Sequence, residues 1–187
     1  MDILLPFEAF DEHKITIEPS KKLKCIQTNI QRFICSLQYK DPIYTLSPFC
    51  ILTPFAKVHT WDFASGKLEL DLTNGSIFQS KYNAFQTAIR SLVEKEYTLH
   101  SYFHPMMFGQ ILTVYLYTNM DSLKQRDRDT WIYTNHTWTT TLQESSFKKG
   151  QSIRLGIQFQ GVCFLRDLVK HDLKYRLQHH IKTIYLS

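Results

Sequence analysis

Two histidine pairs are the first groups in this chain that could do chemistry. His100 and His104 flank Ser101-Tyr102-Phe103, and His179 and His180 are adjacent. A protein metal site needs three or four converging donors, and no cysteine or acidic residue accompanies either pair in a ligand spacing. Neighbouring side chains on a strand point to opposite faces, so His179 and His180 cannot readily chelate one ion together. Glu69 and Asp71 share one face of an alternating segment, the pattern of a solvated edge rather than of an acid–base pair. A GxSxG elbow, a phosphate loop and a dinucleotide fingerprint are all missing from the sequence. The expectation is a non-enzymatic protein that needs no metal and no cofactor.

What the residues do offer is aromatic rings near cations. Single strands of nucleic acid are held by a positive groove along the phosphates and by rings on which bases stack, each stack contributing about 1–3 kcal/mol. Two or three rings therefore suffice. The candidates are Trp61 beside Lys57 and His59, then Trp131, Tyr133 and Trp138 in a threonine-rich stretch. Arg154 and Gln158 fall on the outward side of an alternating run, and Lys174, Arg176, Gln178, His180 and Lys182 would line one face of the last segment as backbone contacts. Each tryptophan also fits a core position, and a lysine-bearing strand also fits a guarded sheet edge. Both alternatives stay open at this level.

Charge sharpens the case. The chain of 187 residues carries a net charge of +5, but Lys148 to Ser187 holds eight Lys or Arg against two Asp. The rest holds fourteen basic and fifteen acidic residues, so the positive field belongs to the last quarter. A localised basic field attracts polyanions. The four cysteines, Cys25, Cys35, Cys50 and Cys163, are scattered among apolar neighbours without a CxxC pair, the pattern of reduced, buried thiols in an intracellular protein. The N-terminus lacks a basic, then apolar, leader, and no apolar run approaches the length of a membrane span, so neither secretion nor a membrane is expected.

These residues must be positioned by strands. Residues 13–18 alternate before Pro19-Ser20, residues 23–39 read as strand, and Phe49-Cys50-Ile51-Leu52 and residues 55–61 form a strand pair or one bent strand around Pro54. Leu68, Leu70 and Leu72 face inward from the next strand, after a turn at Ser65-Gly66. Phe78, Tyr82, Phe85, Ile89, Leu92 and Val93 recur at helical spacing, giving one amphipathic helix from Ile77 to Glu96 with Ser76 as N-cap. Strands resume at residues 108–117, 131–142 and 152–159, where Gly161 is expected to break the pattern, and Asp121 to Asp129 reads as a charged loop. In the last segment Leu173, Leu177, Ile181 and Ile184 fit a helix, while Leu173, Tyr175, Leu177, Ile181 and Tyr185 fit period two; strand is favoured because the alternation covers most of it. The total, six to eight strands and one helix, predicts a β-rich (α+β) fold, an OB-like Greek-key barrel with an internal helix and extra N-terminal strands. A single unit of 1–187 is expected, with 1–45 as the extension and 46–187 as the OB-like core.

Three stretches resemble the single-stranded DNA-binding proteins of the large nucleocytoplasmic DNA viruses, an OB-fold family. They are Leu52-Thr53-Pro54 with Lys57-Val58; Gly66-Lys67-Leu68-Glu69-Leu70-Asp71-Leu72 with Phe78, Lys81 and Phe85-Gln86; and residues 153–162 with Arg176-Leu177-Gln178-His179. The resemblance implies a viral accessory of replication, recombination or repair that coats unpaired strands with low sequence specificity in the host cytoplasm or nucleus. Replication proteins or a second copy of the chain would be its further partners. The competing expectation is a protein-interaction or structural module, a virion component or transcription cofactor, whose exposed rings are an interface patch.

Overall fold

The alternating apolar positions fold as strands, more of them and shorter than the sequence predicts. The computed structural model describes residues 4–18, 23–27, 30–73, 76–96, 100–116 and 130–187. In chain order these hold β1 (Leu4–Pro6), β2 (Ile15–Ile17), β3 (Leu23–Gln27), β4 (Ile30–Lys40), β5 (Thr45–Leu46), β6 (Phe49–Leu52), β7 (Ala56–Asp62) and β8 (Lys67–Asp71). The helix α1 (Ser76–Glu96) follows, then β9 (His100–His104), β10 (Met107–Phe108), β11 (Ile111–Tyr115), β12 (Trp131–Thr134), β13 (Thr137–Thr139), β14 (Ser152–Asp167) and β15 (Asp172–Leu186). The turn at Pro19-Ser20, the Asn74-Gly75 turn and the Asp121–Asp129 loop lie outside the described residues.

Local chemistry explains the extra breaks. Asp11 accepts a hydrogen bond from the backbone of His13, which caps a short 3-10 turn and delays β2 to Ile15. Residues 23–40 are two strands, β3 folding back on β4, rather than one. Gly109, at φ 60°, turns β10 back on β11. The sequence contains no alternation strong enough to mark β9, which lies parallel to β15.

The long hairpin of β14 and β15 organises everything else. It runs from Ile153 opposite Leu186 to Asp167 opposite Asp172, so the final segment is strand. The other edge of β14 is taken in succession by β7, β6 and β4. The two runs around Pro54 are therefore one bent course along β14. Thr53 spans the break: its N–H donates to the Leu155 carbonyl at 2.8 Å, and its hydroxyl accepts from the Leu155 N–H at 2.9 Å. β8 joins β7 to β11, while β15 takes β9 and β12 on its far edge, both parallel. The N-terminal strands are part of the same sheet, since β4 pairs with β14 from Ser36 to Ile30. The strand path does not return on itself among the described residues, so these strands make an open mixed sheet rather than a closed barrel.

Gly161 does not end its strand. A bulge between Phe159 and Gly161 carries β14 onward, and a Cβ at Gly161 would lie 2.3 Å from the Cys35 carbonyl oxygen. Glycine is what lets β4 come this close. The helix seats its stripe inside the curl of the sheet. Phe85 meets Phe10 at 5.4 Å, Phe159 at 5.1 Å and Phe49 at 6.3 Å between ring centroids. Burial of each such ring stabilises the fold by about 1.5–3 kcal/mol. Lys81 ties the helix to the N-terminal segment through the carbonyls of Phe7, Glu8 and Phe10.

Candidate functional site

A hairpin of two short strands, β12 and β13, carries two exposed indoles, Trp131 and Trp138, with Tyr133 between them. Asn135 and His136 both adopt positive φ, 48° and 62°, the geometry of a two-residue turn whose twist matches the flanking strands. Thr137 donates its hydroxyl to the Thr134 carbonyl across that turn. The hairpin is anchored to β15 by Thr130, whose buried hydroxyl donates to the Ile181 carbonyl at 2.7 Å.

Registers then align one row across four strands. Arg154 of β14 stands opposite Tyr185 of β15, Tyr185 beside Tyr133 of β12, and Tyr133 opposite Trp138 of β13. Ring centroids are 6.0 Å apart for Tyr185 and Tyr133, 4.9 Å for Tyr133 and Trp138, and 5.7 Å for Trp138 and Tyr185. The next row along runs from Gly156 to Thr183 to Trp131, and Trp131 meets Trp138 edge-on at 6.4 Å. Trp131 remains 49% and Trp138 48% exposed, so each indole keeps surface for a ligand. Tyr133 is half-buried, with its hydroxyl 3.4 Å from His136 Nδ1.

Cations flank these rings. Arg154 donates from Nε to the Thr53 carbonyl at 2.5 Å and lies over the exposed Phe55 ring at 5.9 Å. Lys182 joins the same side because of a second bulge. Gly156 faces Thr183, but the next residue, Ile157, faces Ile181. Ile181 and Ile184 are both buried, so Lys182 and Thr183 between them share the outward side. Lys57 stands opposite Ser152, one row beyond Arg154, with Asp71 as its other neighbour in register. Hydrogen bonds from Thr73 hold the Asp71 carboxyl below the usual aspartate range, so it stays anionic and offsets part of that charge.

Other predicted residues lie elsewhere. A bulge at His59, between Val58 and Thr60, places Trp61 opposite the buried Leu68 and so on the core side. Its ring meets Phe147 at 5.0 Å, and its Nε1 donates to the Gln143 carbonyl at 3.4 Å, so it packs a loop down; His59 itself is half-buried. Gln158 and His180 face each other in register but are only 6% and 9% exposed. Cys50 of β6 and Leu4 of β1 continue their row, and Leu4 reaches over Gly156, so this middle stretch of the outward side is packed. Gln178 is half-buried and donates to Gln160. Lys174 and Arg176 are exposed, but Arg176 lies nine residues from Tyr185, about 30 Å along an extended strand. The five residues expected to form one ligand-facing stripe on β15 are thus split into an end beside the rings, a packed middle and a distant tip.

Tyr185 and Phe55 belong to the ring surface although their spacing did not single them out. Tyr185 reads as inward-facing by alternation from Leu173, and the bulge turns it outward. The three-residue step from Ile181 to Ile184 is the sequence signal for that turn. Among the described residues, no three His, Cys, Asp or Glu side chains gather where they could hold a metal ion. No described helix is long and apolar enough to cross a membrane. No protein family, curated protein or solved structure matches the chain.

Proposed function

We propose that the row of Arg154, Tyr185, Tyr133 and Trp138, with Trp131 beside it, holds single-stranded nucleic acid, DNA in the first place, with little sequence preference. The observation that carries this reading is two half-exposed indoles in a continuous ring cluster with a fixed guanidinium at one end and Lys182 alongside. Every base has a π face, so rings accept any sequence, while Lys57, Arg154 and Lys182 take phosphates. The scaffold fits an opened OB-type arrangement, in which a long bent strand is shared by several others and a helix fills the interior. The biological task that follows is the coating of unpaired strands during replication, recombination or repair, inside a cell where the buried thiols of Cys35, Cys50 and Cys163 stay reduced.

Fluorescence anisotropy with labelled oligo-dT tests this directly. Three phosphate contacts give a slope of log K against log salt of about −2, at roughly 0.7 per contact for single strands. Micromolar or tighter binding at low salt, stronger than to duplex, is the expected result. An absence of binding at low salt would refute the reading and leave the rings as a protein interface.

A further inference from the structure

The far end of the β14–β15 hairpin has its own charged face, 30 Å or so from the rings. Two rows cross it on the outward side. One runs from Arg32 of β4 through Leu165 and Lys174 to Tyr102 of β9, and the other from Ile34 through Cys163 and Arg176 to His104. Alternation puts all eight on the side opposite Phe33, Phe164, Tyr175 and Phe103, which pack inward. Arg32, Lys174 and Arg176 are exposed, and Tyr102 is 57% exposed beside Lys174. Arg32 is held against the sheet, its Nε 3.3 Å from Cys163 Sγ.

Neither row contains an acidic residue, and among the described residues none of the three cations pairs with a carboxylate. Their in-register neighbours are Lys24, Leu165, Cys163, Tyr102 and His104. The next row on the same side holds Asp167 opposite Asp172, two residues from Leu165 and Lys174, and these two acids offset part of the charge. Both acids end their strands where the hairpin turn begins. Asp167 accepts from the backbone N–H groups of Val169 at 3.0 Å and Lys170 at 3.1 Å, closing that turn, and Arg166 and Lys170 add further positive charge there.

We infer that this tip face is a second contact for the same single strand, so that binding is bipartite. It rests on the ring-surface reading above. Charge selects the occupant, since three unpaired cations beside an exposed ring complement phosphates and a stacking base, and both faces lie on the outward side of the same two strands. The packed stretch at Gln158 and His180 separates the two contacts. A short oligonucleotide therefore reaches one contact at a time, and only a long one engages both.

The test compares oligo-dT of about 6 nucleotides, near the lower end of the ~4–16 nucleotides held by one OB-type site, with oligo-dT of about 20, above it. It uses the full chain and the Lys174→Ala/Arg176→Ala double variant, whose replaced side chains are exposed. For the parent protein the long oligonucleotide shows the steeper salt slope, by about 2 for three added contacts. In the variant that slope falls by about 1.4, and affinity for the long oligonucleotide drops about 25-fold at 0.1 M salt relative to the 1 M limit, both from ~0.7 per lost contact. Binding of the short oligonucleotide changes less than about threefold, the margin for a lost long-range field. An unchanged affinity for the long oligonucleotide overturns the tip contact while leaving the ring surface intact. Equal losses for both lengths mean a diffuse field and also overturn it. Competition by poly-glutamate as effective as by the long oligonucleotide assigns the tip to an acidic protein instead. If the parent binds neither length, the ring-surface reading itself has failed.

Discussion

Replacing Trp138 by alanine is the sharpest probe of the ring surface. Trp138 is held by Tyr133 at 4.9 Å and Tyr185 at 5.7 Å, and its 48% exposure leaves surface on which a base can stack. Loss of one base–ring stack costs about 1–3 kcal/mol, which is roughly a 5- to 150-fold weaker Kd. Because the ring is pre-oriented by two neighbours, little ordering entropy is lost on binding, and the upper half of that range is expected. Trp138→Phe keeps a stacking face and retains most of the affinity. Trp131→Ala costs less, since among the described residues Trp131 has one ring neighbour, at 6.4 Å and edge-on. The assay is quenching of intrinsic fluorescence by oligo-dT in a Trp61→Phe background. The chain has three tryptophans, so only the two surface indoles then report. Trp61→Phe itself lowers stability through its packing on Phe147 and leaves affinity unchanged. A folded Trp131→Ala/Trp138→Ala double variant that binds within about twofold of the parent in anisotropy would refute the stacking mechanism.

Two further outcomes probe the scaffold. Gly161→Ala drives a Cβ to 2.3 Å from a backbone carbonyl, whereas Gly156→Ala meets the Thr183 hydroxyl at the same distance, a side chain that can rotate. Gly161→Ala is therefore the more destabilising, by about 1–3 kcal/mol or a melting temperature lower by roughly 2–12 °C, and the opposite ranking in thermal melts would sink the close-approach argument. Acid should also destabilise the fold. A hydrogen bond from Lys14 holds the Asp41 carboxyl below its usual value of 3.8, and bonds from Ser65, Thr73 and the Lys170 backbone do the same for Asp62, Asp71 and Asp167. Depressed carboxylates contribute stability that is complete above the unfolded value and is lost as pH falls through the folded one. Melting temperature should hold level from neutrality to about pH 5 and fall below about pH 4; a level or rising profile down to about pH 3 contradicts these assignments.

Period-two alternation was a sound guide wherever a strand ran without a bulge. Leu68 and Leu70 are fully buried, as their spacing requires, and the stripe from Phe78 to Val93 faces the core of the fold. The strand reading of the last segment holds because β15 gains partners on both edges, β14 on one and β9 and β12 on the other. Short strands such as β10 and β5 escaped notice since two residues carry no period. The number of strands, and whether they close, depend on which edges meet, and pairing of distant segments such as β4 with β14 leaves no local mark in the sequence.

The candidate site was less legible than the fold for a single physical reason. A bulge inserts one residue into one strand, so every side chain beyond it changes face relative to simple alternation. Three bulges decide this site. The one at His59 sends Trp61 inward, the one at Lys182 and Thr183 sends Tyr185 outward, and the one before Gly161 keeps β14 running to the tip. Counting by twos from Leu173 puts Tyr185 in the core and Lys182 in a stripe with Lys174; the structure puts Tyr185 among the rings and Lys182 beside it. Without the bulge at Lys182, Arg154 would face a strand whose ring pointed away, and Tyr133 would lose its neighbour at 6.0 Å. The row of rings therefore depends on an irregularity that breaks the pattern by which strands are read, and Gly156, packed against Thr183 at that bulge, marks where the register slips.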